Sequence, residues 1–240
     1  MKKKLRVLLV VLFVMIVGGI GAFTWYVNDY YHATVGMEEL MEDSNVEVDT
    51  IAKDYLVFSK DQPSKGFIFY PGGKVEYTAY APLMEKLAQE GFLCVLVKMP
   101  CNLAVFNQNA ANGIKEKYPQ IEDWYIGGHS LGGAMAASYV SKHTNDYQGL
   151  ILLAAYSTKD LSNSALKVIT ISGTNDLVLN KEKVKSNANK LPADTKIVTI
   201  KGGCHSYFGD YGEQDGDGTA TITREEQINR TVEVITQWAE

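Results

Sequence analysis

Residues 127–133 read Gly-Gly-His-Ser-Leu-Gly-Gly, and this stretch constrains the chain more than any other. Gly128, Ser130 and Gly132 fit the pattern G-x-S-x-G. A short strand-like run, Trp124-Tyr125-Ile126, comes before it, and the small, apolar run from Ala134 to Val140 comes after. The spacing predicts a sharp strand-to-helix turn with a serine at its apex. Such a turn strains the serine backbone and leaves no room for bulky neighbours, so glycines flank it two positions away on either side. The hydroxyl is lifted clear of the sheet, and the N-terminal N–H groups of the new helix face whatever it attacks. A glycine-rich turn alone is common. The strand before and the helix after make Ser130 a candidate nucleophile.

A serine hydroxyl needs a base. Of the four histidines, His32 lies in a polar stretch near the N-terminus, His129 should point away from the turn, and His143 ends the helix that follows. His205 stands in Lys201-Gly-Gly-Cys-His-Ser-Tyr, after the β-branched run from Thr195 to Ile200, and is placed to reach back over a sheet. The acid that orients its imidazole is expected at Asp176, in the turn Gly173-Thr-Asn-Asp after the strand-like run Val168–Ser172. Asp160, Asp194 and Asp210 compete, but none directly follows a buried-looking strand. An oxyanion needs donors fixed in advance. The backbone N–H of Leu131 is one candidate. Gly73 is the other, with Lys74 as alternative, because Phe67–Tyr70 reads as a strand running into Pro71-Gly72-Gly73.

With these residues in place the chain resembles the α/β-hydrolase superfamily, in its small dienelactone-hydrolase-like branch. The resemblance covers roughly Val48 to the C-terminus. It rests on Phe69-Tyr-Pro-Gly-Gly-Lys-Val75, Val97-Lys-Met-Pro100, Gly127–Gly133, Gly173–Asp176 and Gly203-Cys-His-Ser-Tyr-Phe-Gly209. The segments around Pro71 and His205 resemble a narrower bacterial group of membrane-anchored relatives. The order Ser130, Asp176, His205 is that of α/β-hydrolases, and the resemblance implies nucleophile, acid and base in those roles. The chain carries serine where dienelactone hydrolases carry cysteine, and Pro71-Gly72 where the oxyanion loop usually has His-Gly.

Lys2, Lys3, Lys4 and Arg6 precede Val7–Val27, 21 residues without a charge. At about 1.5 Å per residue a helix of that length crosses a hydrocarbon core of about 30 Å. The basic end is expected to stay cytoplasmic, with the rest of the chain outside. A cleaved signal peptide is the rival, but its apolar region is shorter and no Ala-x-Ala site is evident. An uncleaved signal-anchor in the cell membrane is therefore expected. The 23 basic and 28 acidic side chains give a net charge of −5. Without the four basic residues of the tail it falls to −9, which excludes nucleic acid as a partner. The three cysteines, Cys94, Cys101 and Cys204, are expected to be free thiols, and no spacing suggests a metal site.

Strands are expected around 54–58, 67–70, 93–98, 123–127, 149–154, 167–172 and 195–201. Helices are expected around 78–90, 103–117, 131–143, 180–190 and 224–238. This alternation predicts an α/β fold, a mostly parallel central sheet with helices on both faces, preceded by one transmembrane helix. The short interval between 154 and 167 leaves no room for a large cap domain. The domains read as an anchor with a basic tail at 1–28, a linker at 29–46 and a hydrolase domain at 47–240. The acidic, glycine-rich loop 209–219 departs from an EF-hand, with Arg224 at the twelfth position, and reads as a turn-rich loop beside the site. The expected function is a cofactor-free serine hydrolase acting on small-molecule carboxylic esters. Thioesterase, amidase and acyltransferase activities, a binding protein on a hydrolase scaffold and an envelope scaffold are the alternatives.

Overall fold

The computed structural model describes residues 2–37, 45–50 and 52–240. They divide into two units, Met1–Tyr30 and Tyr31–Glu240. In the first unit, helix α1 spans Lys2–Asn28. From Lys3 to Asn28 it is long and apolar enough to cross a membrane, a property it shares with signal sequences. Its large apolar side chains, from Leu5 to Tyr26, are exposed.

In the second unit the described residues form an eight-stranded sheet. The strands are β1 (Glu47–Asp49), β2 (Tyr55–Ser59), β3 (Lys65–Tyr70), β4 (Phe92–Val97), β5 (Asp123–His129), β6 (Gly149–Leu153), β7 (Lys167–Gly173) and β8 (Lys196–Ile200). Their order is β1-β2-β4-β3-β5-β6-β7-β8. The pairs β1·β2 and β2·β4 are antiparallel, and the others are parallel. The short edge strand β1 lies outside the expected set. Its three residues alternate exposed, half-buried, exposed, too brief a pattern to stand out.

Strands β4 and β6 are buried and apolar along their whole length, and β3 from Phe67 on, because both faces are covered. Phe67 and Phe69 enter one hydrophobic cluster, and Ile68 and Tyr70 the other. Phe92, Cys94 and Leu96 alternate in the same way with Leu93, Val95 and Val97. Helices α2 (Ala81–Gln89) and α5 (Arg224–Ala239) close the first face with Leu83, Met84, Leu87, Ile228, Val232 and Ile235. Helix α3 (Leu131–Val140) closes the second with Ala136, Ala137 and Val140, and α4 (Lys181–Asn187) follows β7. The Thr223 hydroxyl caps α5 by accepting from the Glu226 N–H at 3.1 Å.

One expected helix is absent. Residues 103–117 form turns and short 3-10 segments, Ala104–Phe106 and Lys115–Lys117. The buried Tyr70 hydroxyl organises this stretch, donating to the Gln108 carbonyl at 2.8 Å and accepting from the Ala111 N–H at 2.9 Å. Gly113, with φ +72°, breaks any helical path. Between β6 and β7 the connection Ala154–Leu166 carries neither helix nor strand, so no cap domain is inserted there. Part of the expected linker, residues 38–44, lies outside the described residues. Tyr31–Thr34 belongs to the second unit and is hydrogen-bonded to its loops at Lys74–Glu76 and Asp210. All three cysteines are free thiols: Cys94 and Cys204 are buried and Cys101 is exposed.

Candidate active site

Strand β5 delivers Ser130 to the C-terminal edge of the sheet. Its N–H donates to the Leu153 carbonyl at 2.9 Å, and its carbonyl accepts from the Ala134 N–H at 3.1 Å. These bonds hold Ser130 at φ 51°, ψ −120°, a conformation that costs a non-glycine residue about 1–3 kcal/mol. Helix α3 starts immediately after, so the N–H groups of Leu131, Gly132 and Gly133 have no acceptor within their own helix. The absence of a side chain at Gly132 is required here. A Cβ would lie 2.1 Å from the Tyr70 carbonyl oxygen and 2.2 Å from that of Pro71. That approach brings the start of α3 against the loop after β3.

The loop Pro71–Lys74 has two of its N–H groups engaged. Gly72 donates to the Tyr80 hydroxyl at 3.1 Å, and Lys74 to the Asn102 carbonyl at 2.8 Å. Gly73 lies between them, directly over Leu131: a Cβ on it would sit 2.8 Å from Leu131 Cδ2. The two expected donors, Leu131 and Gly73, are thus neighbours in space.

Asp176 lies in the turn after β7. Its Oδ1 accepts from the N–H groups of Val178 and Leu179 at 3.0 and 2.8 Å. Its Oδ2 stands 3.0 Å from His205 Nδ1. Both side chains are buried, Asp176 at 0 % and His205 at 1 % exposure. The other nitrogen of His205, Nε2, has no hydrogen-bond partner among the described residues. His205 and Ser130 line one cavity of about 270 Å³, together with Leu131, Ala155, Tyr156 and Leu179.

The competing residues are elsewhere or engaged. Asp160 binds the Ser162 N–H and hydroxyl at the surface, Asp194 is exposed, and Asp210 pairs with Arg224 and Thr34. His32 lies 3.4 Å from Glu76, and His143 lies 3.1 Å from Asp146. Among the described residues no cluster of His, Cys, Asp and Glu could hold a metal ion.

His129 does not line the cavity of Ser130 and His205, but it packs behind His205. Its ring lies 4.5 Å, centroid to centroid, from that of His205, fully buried. Burial, and then the neighbouring His205, push its pKa well below the ordinary histidine value, so it stays neutral. Burial raises the pKa of Tyr80, which therefore keeps its proton. The Tyr80 oxygen accepts from the Gly72 N–H at 3.1 Å and stands 2.8 Å from His129 Nδ1, which links the loop after β3 to the ring behind His205.

Asp217 lies in the acidic loop 209–219, which reads in the sequence only as a turn-rich loop beside the site. Its carboxylate accepts from the N–H groups of Ser206 at 2.9 Å, Gly218 at 2.8 Å and Leu177 at 3.4 Å. Burial would raise its pKa, but the backbone donors of Ser206, His205 and Gly218 together hold it below the usual carboxylate value. Asp217 thereby ties the turn that carries Asp176 to the loop that carries His205. The only signal was an Asp-Gly dipeptide in the loop 209–219, which reads equally well as turn chemistry.

The profile of the alpha/beta hydrolase family matches residues 66–229. The chain belongs to the alpha/beta hydrolase family. As an alpha/beta hydrolase it also has structural neighbours at low identity. A predicted CIB-like hydrolase from Thermoplasma acidophilum superposes with a TM-score of 0.58 at 14% identity, over 80% of this chain and 98% of that one. TT1662 from Thermus thermophilus gives 0.59 at 12% identity, over 81% and 98%. At such identities the likeness speaks for the hydrolase fold alone. No curated protein matches the sequence.

Proposed function

We propose that this hydrolase is a serine esterase that cleaves small-molecule carboxylic esters through Ser130, His205 and Asp176, with the N–H groups of Leu131 and Gly73 as oxyanion donors. The observation that carries the reading is one cavity lined by both the strained Ser130 and His205, whose far nitrogen is already bound to Asp176.

In this reading Asp176 accepts from His205 Nδ1–H, which leaves Nε2 as the base. Nε2 takes the Ser130 proton as Oγ attacks the ester carbonyl. Charge then builds on the carbonyl oxygen, where Leu131 N–H at the start of α3 and Gly73 N–H receive it. His205 returns the proton to the departing alcohol, and an acyl-Ser130 remains. Water, activated by the same nitrogen, releases the acid. No cofactor enters this sequence. Thioesters, amides and transfer to a second alcohol follow the same acyl-enzyme and differ only in leaving group or acceptor.

We further propose residues 1–28 as a single-pass signal-anchor with a cytoplasmic basic tail, residues 29–46 as the linker and residues 47–240 as a hydrolase domain outside the cell membrane. The four basic residues before the apolar run support that orientation.

A fluorophosphonate tests the chemistry. It should label the wild-type chain and leave Ser130→Ala unlabelled, and the same variant should lose about four to six orders of magnitude in hydrolysis of p-nitrophenyl acetate. A Ser130→Ala chain that retained a tenth of the wild-type rate would remove Ser130 as the nucleophile.

A further inference from the structure

Tyr31–Thr34 lies within the unit that holds the sheet, and it is bonded to two separate loops. On one side the Tyr31 N–H donates to the Lys74 carbonyl at 2.8 Å, and the Glu76 N–H donates to the Tyr31 carbonyl at 2.8 Å. These bonds form a parallel bridge between Tyr31 and Val75. The Ala33 N–H adds a bond to Glu76 Oε2 at 3.1 Å. On the other side the Thr34 N–H donates to the Asp210 carbonyl at 2.9 Å, and its hydroxyl donates to Asp210 Oδ1 at 2.5 Å. The Tyr31 hydroxyl accepts from the Asp215 N–H at 3.1 Å, and its ring packs 5.6 Å from that of Tyr211.

The first loop begins one residue after Gly73, and the second begins five residues after His205. Both leave the C-terminal edge of the sheet, where the strand ladder no longer fixes the backbone. Their direct junction is the Asp210 N–H bond to the Ala79 carbonyl at 2.6 Å. The strap spans the same gap with bonds at both ends. Tyr211 extends it inward: its ring lies 6.3 Å from that of Tyr80, whose hydroxyl binds Gly72 and His129.

We propose that Tyr31 and Thr34 are positioning residues, and that the strap holds the oxyanion loop and the histidine loop in their mutual register. The proposal rests on the reading of Gly73 and His205 given above. A donor displaced by about 1 Å costs on the order of 100-fold in rate, so a segment far from the reacting atoms acts on kcat. The residues directly after the apolar helix are then part of the catalytic scaffold.

The test uses the full-length chain in detergent, with Tyr31→Ala/Thr34→Ala, Thr34→Ala and Thr34→Ser. Hydrolysis of p-nitrophenyl acetate is measured well below the thermal midpoint, and amide exchange is followed by mass spectrometry over 71–76 and 203–211. The double variant should lose about ten- to 100-fold in kcat with KM within about threefold. Exchange should quicken in both loops, and Thr34→Ser should restore kcat to near the wild-type value. A double variant with wild-type kcat overturns the proposal, even if its thermal midpoint falls. So does a loss of kcat without faster exchange in both loops. Wild-type turnover that Ser130→Ala abolishes keeps the esterase reading in either case. If no ester is turned over, that reading fails, and unchanged exchange in the double variant still rejects the strap.

Discussion

Asp176 uses both carboxylate oxygens, one for the turn of Val178 and Leu179 and one for His205. Replacing it with asparagine removes the charge and keeps the shape. If Asp176 orients His205 as proposed, Asp176→Asn should leave the fold intact and lower kcat by roughly 10⁴, the loss seen when a triad acid is removed. Asp160→Asn, at a surface carboxylate hydrogen-bonded to Ser162, should stay near wild type in the same assay. The buried His129 makes a different prediction. Its pKa lies well below the ordinary value near 6.5 when folded, so the folded chain leaves it neutral while the unfolded chain binds a proton at acid pH. Stability from this group is complete above about pH 6.5 and declines as pH falls. Urea unfolding of wild type and His129→Gln at about pH 7.5 and about pH 5.5 should therefore show the wild type losing more stability on acidification than the variant.

At the scale of elements, the contact between α3 and the loop after β3 sets the spacing of Leu131 and Gly73, the proposed N–H donors. Gly132→Ala places a methyl against two backbone carbonyls that cannot move independently. It should cost about 1–3 kcal/mol in urea unfolding and slow fluorophosphonate labelling, because Leu131 and Gly73 are pushed apart. The elements themselves were largely legible in the sequence, for a physical reason. Strands β3, β4 and β6 are buried on both faces, so they appear as unbroken apolar runs. Ser130, Asp176 and His205 each follow a strand at the same sheet edge, so each is marked by a local strand-then-glycine pattern. What escaped was non-local. The turns of 103–117 are arranged by a hydroxyl on Tyr70, more than thirty residues earlier. His129 finds Tyr80, and Asp217 finds Leu177, only after the sheet has formed. No spacing along the chain encodes such pairs.

For the whole molecule, the decisive measurement concerns placement. Protease added to intact cells without their wall should digest the hydrolase domain without lysis, and the membrane fraction should hold the full-length chain. A protected domain would reverse the orientation read from Lys2, Lys3, Lys4 and Arg6. A soluble product beginning near Ala22 would make α1 a cleaved signal. The short connection Ala154–Leu166 carries a further consequence for the molecule at work. No cap domain is inserted at this connection. If Ser130 is the nucleophile as proposed, turnover should need no opening of a domain at this place. The reaction velocity should follow dissolved ester along a single hyperbola and level off at the solubility limit, without the surge that a mobile lid produces at an oil–water boundary.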